Sequence, residues 1–306
     1  MYSSYLKLSN NGKLQERIEI LKKNYYECFL CPHKCKVNRT RGERGICRSG
    51  SLPVVASYNS HYGEEPPISG SSGSGTIFFS SCSGKCIFCQ NYPISQLGTG
   101  KEVTEEQLSE MMLKLQNRGC NNINLVTPTH FLPSIVAAIS IGASKGLHIP
   151  IVYNTGGYER VEIIKILDGI IDIYLPDAKY ADNTIAKELS GFTNYVDYNR
   201  SALVEMFSQV GTLQTKDGIA VKGMIIRHLI LPKNLGGTEC IMKFLSEKIF
   251  QDIYISLMDQ YFPAYKALKH EDLSRRITSE EYNNALESFY KNGLHNGWIQ
   301  NHISVT

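Results

Sequence analysis

The chain has 306 residues, of which 42% are hydrophobic and 20% charged, and its formal net charge at pH 7 is +3. This is the composition of a folded globular protein, and the balanced charge excludes a protein whose whole surface binds nucleic acid. No run approaches the roughly 18 uncharged apolar residues that cross a bilayer, and the N-terminal segment lacks a secretory signal pattern. We therefore expect a cytoplasmic protein without a membrane association.

The elements are predicted from hydrophobic periodicity, in chain order. A helical lead-in covers 1–27, a segment rich in cysteine and basic residues covers 28–50, and an irregular Gly-, Pro- and Ser-rich connection covers 63–75. Strands are then predicted at 76–80, 122–127, 149–154, 170–175, 223–231 and 252–258. Helices are predicted at 104–118, 131–145, 159–168, 197–210, 238–249 and 279–292. This alternation predicts an α/β fold with a parallel sheet and right-handed crossovers.

Cysteines are concentrated in the first third of the chain. Of the nine, all but Cys120 and Cys240 are found in one short stretch: Cys28, Cys31, Cys35, Cys47, Cys82, Cys86 and Cys89. Thiols in a reducing compartment rarely form disulfides, and cysteines that only fill a core would be scattered. The clustering predicts metal binding.

The first group is Cys82, Cys86 and Cys89, spaced C-x3-C-x2-C directly after the first strand predicted in the parallel sheet. Ligands of open α/β sheets bind beyond the carboxyl ends of strands, and Gly84 allows a tight turn there. Three thiolates suit a cubane iron–sulfur cluster with one iron free for a small molecule. Three buried thiols, or zinc completed by a distant residue, are the alternatives, because this loop lacks a fourth ligand.

The pattern C-x3-C-x-Φ-C, with Phe88 as the aromatic residue, resembles the signature of radical S-adenosylmethionine (SAM) enzymes. Segments 86–92, 126–131, 154–158, 174–180, 227–232 and 258–261 resemble the branch of pyruvate formate-lyase activating enzyme. The resemblance implies a partial (β/α)6 barrel, a [4Fe-4S] cluster on the three cysteines, and SAM on the fourth iron. It further implies that the reduced cluster cleaves SAM to a 5′-deoxyadenosyl radical, which takes a hydrogen atom from the substrate.

The resemblance also implies cofactor contacts at several strand ends: Phe88, Thr127, Thr129, His130, Asn154, Thr155, Asp177 and Lys179. Asp177 and Lys179 share a face, so that Lys179 could meet the methionyl carboxylate while Asp177 positions it. Many relatives carry a Gly-Gly-Glu-type segment where this chain has 127–130. Backbone carbonyls or threonine hydroxyls would then have to accept from the methionyl amine.

Two further positions bear on the substrate side. Arg227 and His228 are neighbours in one predicted strand and point to opposite faces, so at most one enters the barrel. Gln260 stands where activating enzymes of this type carry a histidine, and this departure leaves the substrate open.

The second cysteine group is Cys28, Cys31, Cys35 and Cys47, spaced C-x2-C-x3-C-x11-C. Four thiolates can close a tetrahedral site, and both zinc and a second iron–sulfur cluster remain open. Basic residues between 34 and 48 would offset the thiolate charge, or form a solvated charge run, or meet an acidic protein or RNA.

Three functions follow as hypotheses. The first is an activating-enzyme-like oxidoreductase that installs a radical on a protein. It would receive its electrons from a low-potential donor of the flavodoxin or ferredoxin type. The second is radical modification of RNA or a small metabolite, and the third is a non-catalytic iron–sulfur or zinc scaffold. An open iron is prone to oxidation, so we expect an anaerobic or microaerobic setting. The expected regions are a helix and four-cysteine module at 1–62, the radical SAM core at 63–275, and a C-terminal helix and tail at 276–306.

Overall fold

A computed structural model describes residues 3–299, which form an open sheet covered by helices. The strands are β1 (Val54–His61), β2 (Ser74–Phe79), β3 (Lys101–Glu102), β4 (Ile123–Val126), β5 (Ile151–Thr155), β6 (Ile173–Pro176), β7 (Gln214–Lys216), β8 (Ile219–Leu229), β9 (Tyr254–Met258) and β10 (Gly297–Ile299). Their order is β10-β9-β8-β6-β5-β4-β2-β1-β3, with β7 paired to β8. From β10 to β2 all neighbours are parallel, whereas β1 pairs antiparallel with β2 and β3.

Helices connect the strands and flank both ends of the described chain. They are α1 (Ser4–Asn10), α2 (Lys13–Lys22), α3 (Pro66–Ser69), α4 (Tyr92–Ser95), α5 (Glu105–Asn117), α6 (Leu132–Ser144), α7 (Val161–Ile166), α8 (Asn183–Ser190), α9 (Tyr195–Val210), α10 (Thr238–Phe244) and α11 (Ser279–Lys291). A π-helical turn, Leu245–Ile249, continues α10. Between residues 3 and 299, no helix has the length and apolar character needed to cross a membrane.

The α/β fold with a parallel sheet is confirmed, and its open edges agree with a partial barrel. The six strands predicted from the sequence correspond to β2, β4, β5, β6, β8 and β9. The predicted helix at 104–118 is α5, and Thr104 and Gln107 form its capping box.

The structure also contains elements that the pattern did not indicate. β1 extends the sheet antiparallel, although only Val55 of its eight residues is buried, so it lacks a hydrophobic alternation. The connection expected to be irregular at 63–75 contains α3 and the start of β2. The short helix α8 is capped at its N-terminus by Asp182, whose carboxylate accepts hydrogen bonds from two backbone N–H groups, and at its C-terminus by Gly191.

Side chains alternate between the interior of the sheet and its helix-covered side. Val152, Ile173, Leu175 and Ile225 pack together in the interior with Ile68 of α3. Their neighbours Tyr153, Tyr174 and Ile226 pack on the opposite side, in the main core under the helices. By this alternation Arg227 faces the interior and His228 faces the helices, where it contacts the carbonyl of Ala178 and the hydroxyl of Thr238.

Candidate functional site at the carboxyl ends of the strands

The loop after β2 carries the three cysteines spaced C-x3-C-x2-C, and all three are partly exposed. The backbone N–H of Gly84 donates to Sγ of Cys82 at 3.2 Å, and the hydroxyl of Ser190 donates to Sγ of Cys86 at 3.0 Å. Sγ of Cys89 lies 3.1 Å from the hydroxyl of Ser95. Hydrogen bonds to sulfur are among the contacts that tune iron–sulfur clusters, and this loop provides such a contact for each of its three sulfurs.

This loop is fixed against the end of α8. The N–H groups of Lys85 and Ile87 donate to the carbonyls of Ser190 and Leu189 at 2.8 and 2.9 Å. A Cβ at Gly84 would lie 2.6 Å from the ring of Phe192. Glycine is therefore required at position 84 by the close approach of a neighbouring side chain.

The thiols of Cys82 and Cys86 are electrostatically unfavourable as bare anions. Burial raises the pKa of Cys82 to about 12, and the neighbouring Cys86 adds to this, although the N–H of Gly84 opposes it. Burial also raises the pKa of Cys86, against the effect of Lys179. Thiolates at these positions need a positive partner, which a cluster supplies.

No three Cys, His, Asp or Glu side chains converge on the position of a single metal ion anywhere in residues 3–299. A cubane cluster is larger than one ion, and its ligands stand around it rather than meeting at a point. The donor set and the sulfur hydrogen bonds fit a cluster.

A cavity of about 190 Å³ opens beside two of these cysteines. It is lined by Cys86, Phe88, Cys89, Gln90, Asn91, Asp177, Lys179, Arg227, Leu229, Met258 and Gln260. Polar residues thus come from the cysteine loop and from the ends of β6, β8 and β9. Phe88 is 5% exposed and packs edge-on against Tyr261, with ring centroids 6.0 Å apart.

Charged side chains form a connected network at this cavity. Arg227 donates from Nε to Asp177 at 2.9 Å and from a terminal nitrogen to the side-chain oxygen of Asn154 at 2.6 Å. Lys179 donates to the second oxygen of Asp177 at 2.5 Å. Burial would raise the pKa of Asp177, but Lys179 and Arg227 outweigh it and hold that pKa below its ordinary value. The carboxylate is therefore ionised and orients two cations.

Other predicted residues lie away from this cavity. The hydroxyls of Thr129 and Thr155 both donate to one oxygen of Glu159, from Thr129 at 2.6 Å. Thr155 alternates with Asn154 and so faces the helices. Glu159 is 1% exposed, and burial raises its pKa to about 7, against the hydrogen bonds of the two threonines. Glu159 was missed by sequence reasoning, because nothing in its spacing marks a buried carboxyl.

Thr127 and His130 flank Thr129 at the end of β4. Thr127 lies in the left-handed region at φ 57°, and its N–H donates to the carbonyl of Asn154 at 2.8 Å. His130 is 1% exposed, and its Nε2 lies 2.8 Å from the carbonyl of Ser80. Burial lowers the pKa of His130 to about 3, so its imidazole is neutral and joins the cysteine loop to β4.

The four-cysteine segment surrounds a buried arginine. Arg39 is 4% exposed and donates to Sγ of Cys28 at 3.1 Å, to Sγ of Cys47 at 3.7 Å and to the carbonyl of His130 at 2.5 Å. Burial raises the pKa of Cys31, and the other three thiols of the segment raise it further, so the four sulfurs share one region. Like the other potential ligands within residues 3–299, they do not converge on a single ion. The predicted zinc or second cluster at these four cysteines stays a prediction.

Comparison with known proteins places the chain in a family. A profile described as the Radical SAM superfamily matches residues 76–219. The chain is 35% identical over 294 residues to "Uncharacterized protein MJ0674" of Methanocaldococcus jannaschii, with 92% of this chain and 79% of that protein covered.

Solved structures with a similar fold include HydG, a maturase of the [FeFe]-hydrogenase, at a TM-score of 0.46 and 15% identity. They also include TYW1 with a lysine-pyruvate adduct bound, at 0.45 and 12%, covering 71% of this chain and 73% of that one. Methylornithine synthase follows at 0.45 and 14%, covering 72% and 62%. The match to HydG covers 70% of this chain but only 47% of HydG, about half of its length. On the profile match and the alignment to the archaeal relative, this chain belongs to the radical SAM superfamily.

Proposed function

We propose that the protein is a radical SAM enzyme in which Cys82, Cys86 and Cys89 hold the [4Fe-4S] cluster and SAM binds in and around the 190 Å³ cavity beside them. Membership of the superfamily implies the cluster, SAM and a reductant. When bound, they supply a 5′-deoxyadenosyl radical that removes a hydrogen atom from the substrate. The observation that carries the assignment is the cysteine loop lying directly against a cavity whose opposite wall holds Asp177, Lys179 and Arg227.

The charged network suits the amino-acid end of SAM. Lys179 and Arg227 can both donate to its carboxylate, because Asp177 holds the two cations side by side. The side-chain oxygen of Asn154 accepts a hydrogen bond from Arg227, so the amide nitrogen of Asn154 is left to donate to a ligand. In the absence of a Gly-Gly-Glu-type segment, the hydroxyl or carbonyl of Thr127 is our candidate acceptor for the amine.

The remaining wall suits the adenosyl part. Leu229 and Met258 line the cavity with apolar surface. Phe88 also lines it, and its ring packs against Tyr261. The polar group of Gln260 lines the same cavity from the end of the last long strand. We place the adenine along this apolar side, with the ribose toward Asn154.

The substrate type separates the hypotheses further. RNA modification would need exposed basic residues, and in this cluster Arg39 is buried whereas Arg41, Arg44 and Arg48 are exposed. Lys34 and Lys36 lie over the rings of Tyr198 and Phe29. Modification of RNA therefore stays a prediction. Activation of a glycyl-radical protein and the flavodoxin or ferredoxin donor stay predictions.

The test is reconstitution with iron and sulfide without oxygen, followed by a low-potential reductant and SAM. We expect 5′-deoxyadenosine and methionine, and an EPR signal of the reduced cluster that changes when SAM is added. The C86S variant should lose both, whereas C240S is the matched control, because Cys240 is exposed and stands apart from both cysteine groups. A fully reconstituted wild-type protein that forms no 5′-deoxyadenosine contradicts the proposal, and an EPR signal insensitive to SAM favours the scaffold hypothesis.

A further inference from the structure

A second cavity, of about 320 Å³, adjoins the first. Arg227, Met258 and Gln260 line both cavities, so the two share a wall. The new lining comes from the segment after β1, with Glu64 and Glu65, and from the edge strand β10, with Trp298. This second cavity extends the proposed SAM site away from the cysteine loop, at the open side of the partial barrel.

The charges around the two cavities do not balance. Three carboxylates, Asp177, Glu64 and Glu65, act on Arg227, and Lys179 supplies the second cation. One negative charge is therefore left over. The proposed cofactors do not change this count, because an oxidised [4Fe-4S] cluster with three thiolates carries one negative charge and SAM carries one positive charge.

The surplus is located on the side of Glu64 and Glu65. Glu64 receives the amide of Asn124 at 3.0 Å and lies 3.5 Å from Arg227, with His61 3.8 Å away. Burial still raises the pKa of Glu64, although Arg227 opposes it, so this carboxylate is undercompensated. His61 has more than a third of its side chain exposed and stands on the solvent side of the pair.

Within residues 3–299, Glu65 has a carboxylate oxygen that no hydrogen bond satisfies. It is 8% exposed, and in the part of the chain that the structure describes its Oε2 is buried without any hydrogen-bond donor. Its side chain does not cap α3, which begins at the next residue. A buried carboxylate oxygen without a donor is costly, so a ligand with a hydrogen-bonding cation would relieve it.

We propose that the second cavity is the substrate chamber of the enzyme and that it binds a substrate through a positively charged amine, held by Glu65 with support from Glu64. This inference rests on the proposed function and specifies its substrate class. Trp298 adds an aromatic face to the same cavity, and aromatic rings attract cations. The amine would lie on the far side of Arg227 from the cysteines.

The test uses the reconstituted holoenzyme with SAM and without reductant, so that ligands bind but do not turn over. The ligands are 5-amino-1-pentanol, its uncharged match 1,5-pentanediol and the anion 5-hydroxypentanoate. Trp298 is the single tryptophan of the chain, so its fluorescence reports on this cavity, and calorimetry gives the affinity. We expect saturable binding of the amine, with the diol weaker by about tenfold or more and the acid weaker still.

Variants locate the effect. E65Q should weaken amine binding by about tenfold or more, and E65D should retain most of it, because it keeps the charge. E102Q is the matched control: Glu102 is exposed on β3, at the opposite edge of the sheet from β10. Equal binding of amine and diol to the wild type, or unchanged amine binding by E65Q, would overturn the inference.

Two further arms separate the sources and the hypotheses. An acetylated Gly-Lys-Gly amide that binds better than its norleucine counterpart identifies a protein lysine as the source of the amine, and binding of the free amine alone identifies a small molecule. Reductant is then added to the wild type without any amine. Formation of 5′-deoxyadenosine without amine binding contradicts this inference and leaves the proposed function intact. Amine binding without 5′-deoxyadenosine sinks the proposed function, and with it the role of the chamber as a substrate site.

Discussion

The strand ends present two polar regions that look alike in sequence and differ in structure. On the cavity side, Asp177, Lys179 and Arg227 hold one another and face open space beside the cysteine loop. On the outer side, which the helices cover, Thr129 and Thr155 donate to Glu159, and none of these three residues lines the 190 Å³ cavity. Polar groups that face a cavity remain available to a ligand, whereas those that bond to one another under helices support the fold. Variants on the cavity side should therefore change chemistry, and variants on the outer side should change stability.

The largest effect is expected for the cysteine loop. Replacing Cys86 with serine removes one of three proposed ligands, so iron content and 5′-deoxyadenosine formation should fall to background. C31S, in the four-cysteine segment, should keep the cluster signal of the first loop. Iron and zinc analysis of both variants measures this difference. If C31S also loses cluster iron or any zinc, the four-cysteine segment holds a metal after all.

Replacing Arg39 should have the next largest effect, and we expect it to lower the stability of the fold. R39A removes a buried guanidinium that serves two sulfurs and the carbonyl of His130, so the free energy of unfolding should fall by about 3 kcal/mol or more. R39K keeps the positive charge but not the planar set of donors, so its free energy of unfolding should lie between those of the wild type and R39A. Denaturant unfolding measures this without oxygen. A chelator that destabilises the wild type as strongly as R39A would show instead that a metal holds the segment together.

Glu159 gives a pH-dependent test on the same outer side. Its pKa of about 7 lies above the value of an unfolded glutamate, so the folded state favours the protonated form. Its contribution is complete below about pH 4.3 and is lost as the pH rises through about 7. E159Q should remove this dependence and be more stable than the wild type at pH 8 by roughly 3 kcal/mol. Parallel stability curves for the two proteins between pH 4 and pH 8 would contradict the assignment.

How far the sequence predicts this molecule depends on the kind of signal. The parallel strands were predictable because each is a short apolar run between helical segments, as in β5 and β6. β1 was not, because its side chains are mostly exposed and carry no alternation. The spacing of Cys82, Cys86 and Cys89 indicated the loop, but the partner of each strand-end residue depends on which face it takes. The side chains of neighbours such as Asn154 and Thr155 therefore point to opposite faces of the sheet. No local sequence pattern marks Glu65 or Glu159 as a buried carboxylate.

The smallest effect, and the most direct test of the cavity side, is D177N. Asparagine fills the same space but no longer holds Lys179 and Arg227 with a full negative charge, so the affinity for SAM should fall by about tenfold while the fold is kept. Calorimetry and the SAM-dependent EPR shift measure the loss, and D217N, in the exposed turn before β8, is the control. D177N also leaves the two cations less restrained. If they bind the methionyl carboxylate on their own, the affinity of D177N for SAM would match that of D217N, and Asp177 would not be the residue that positions them.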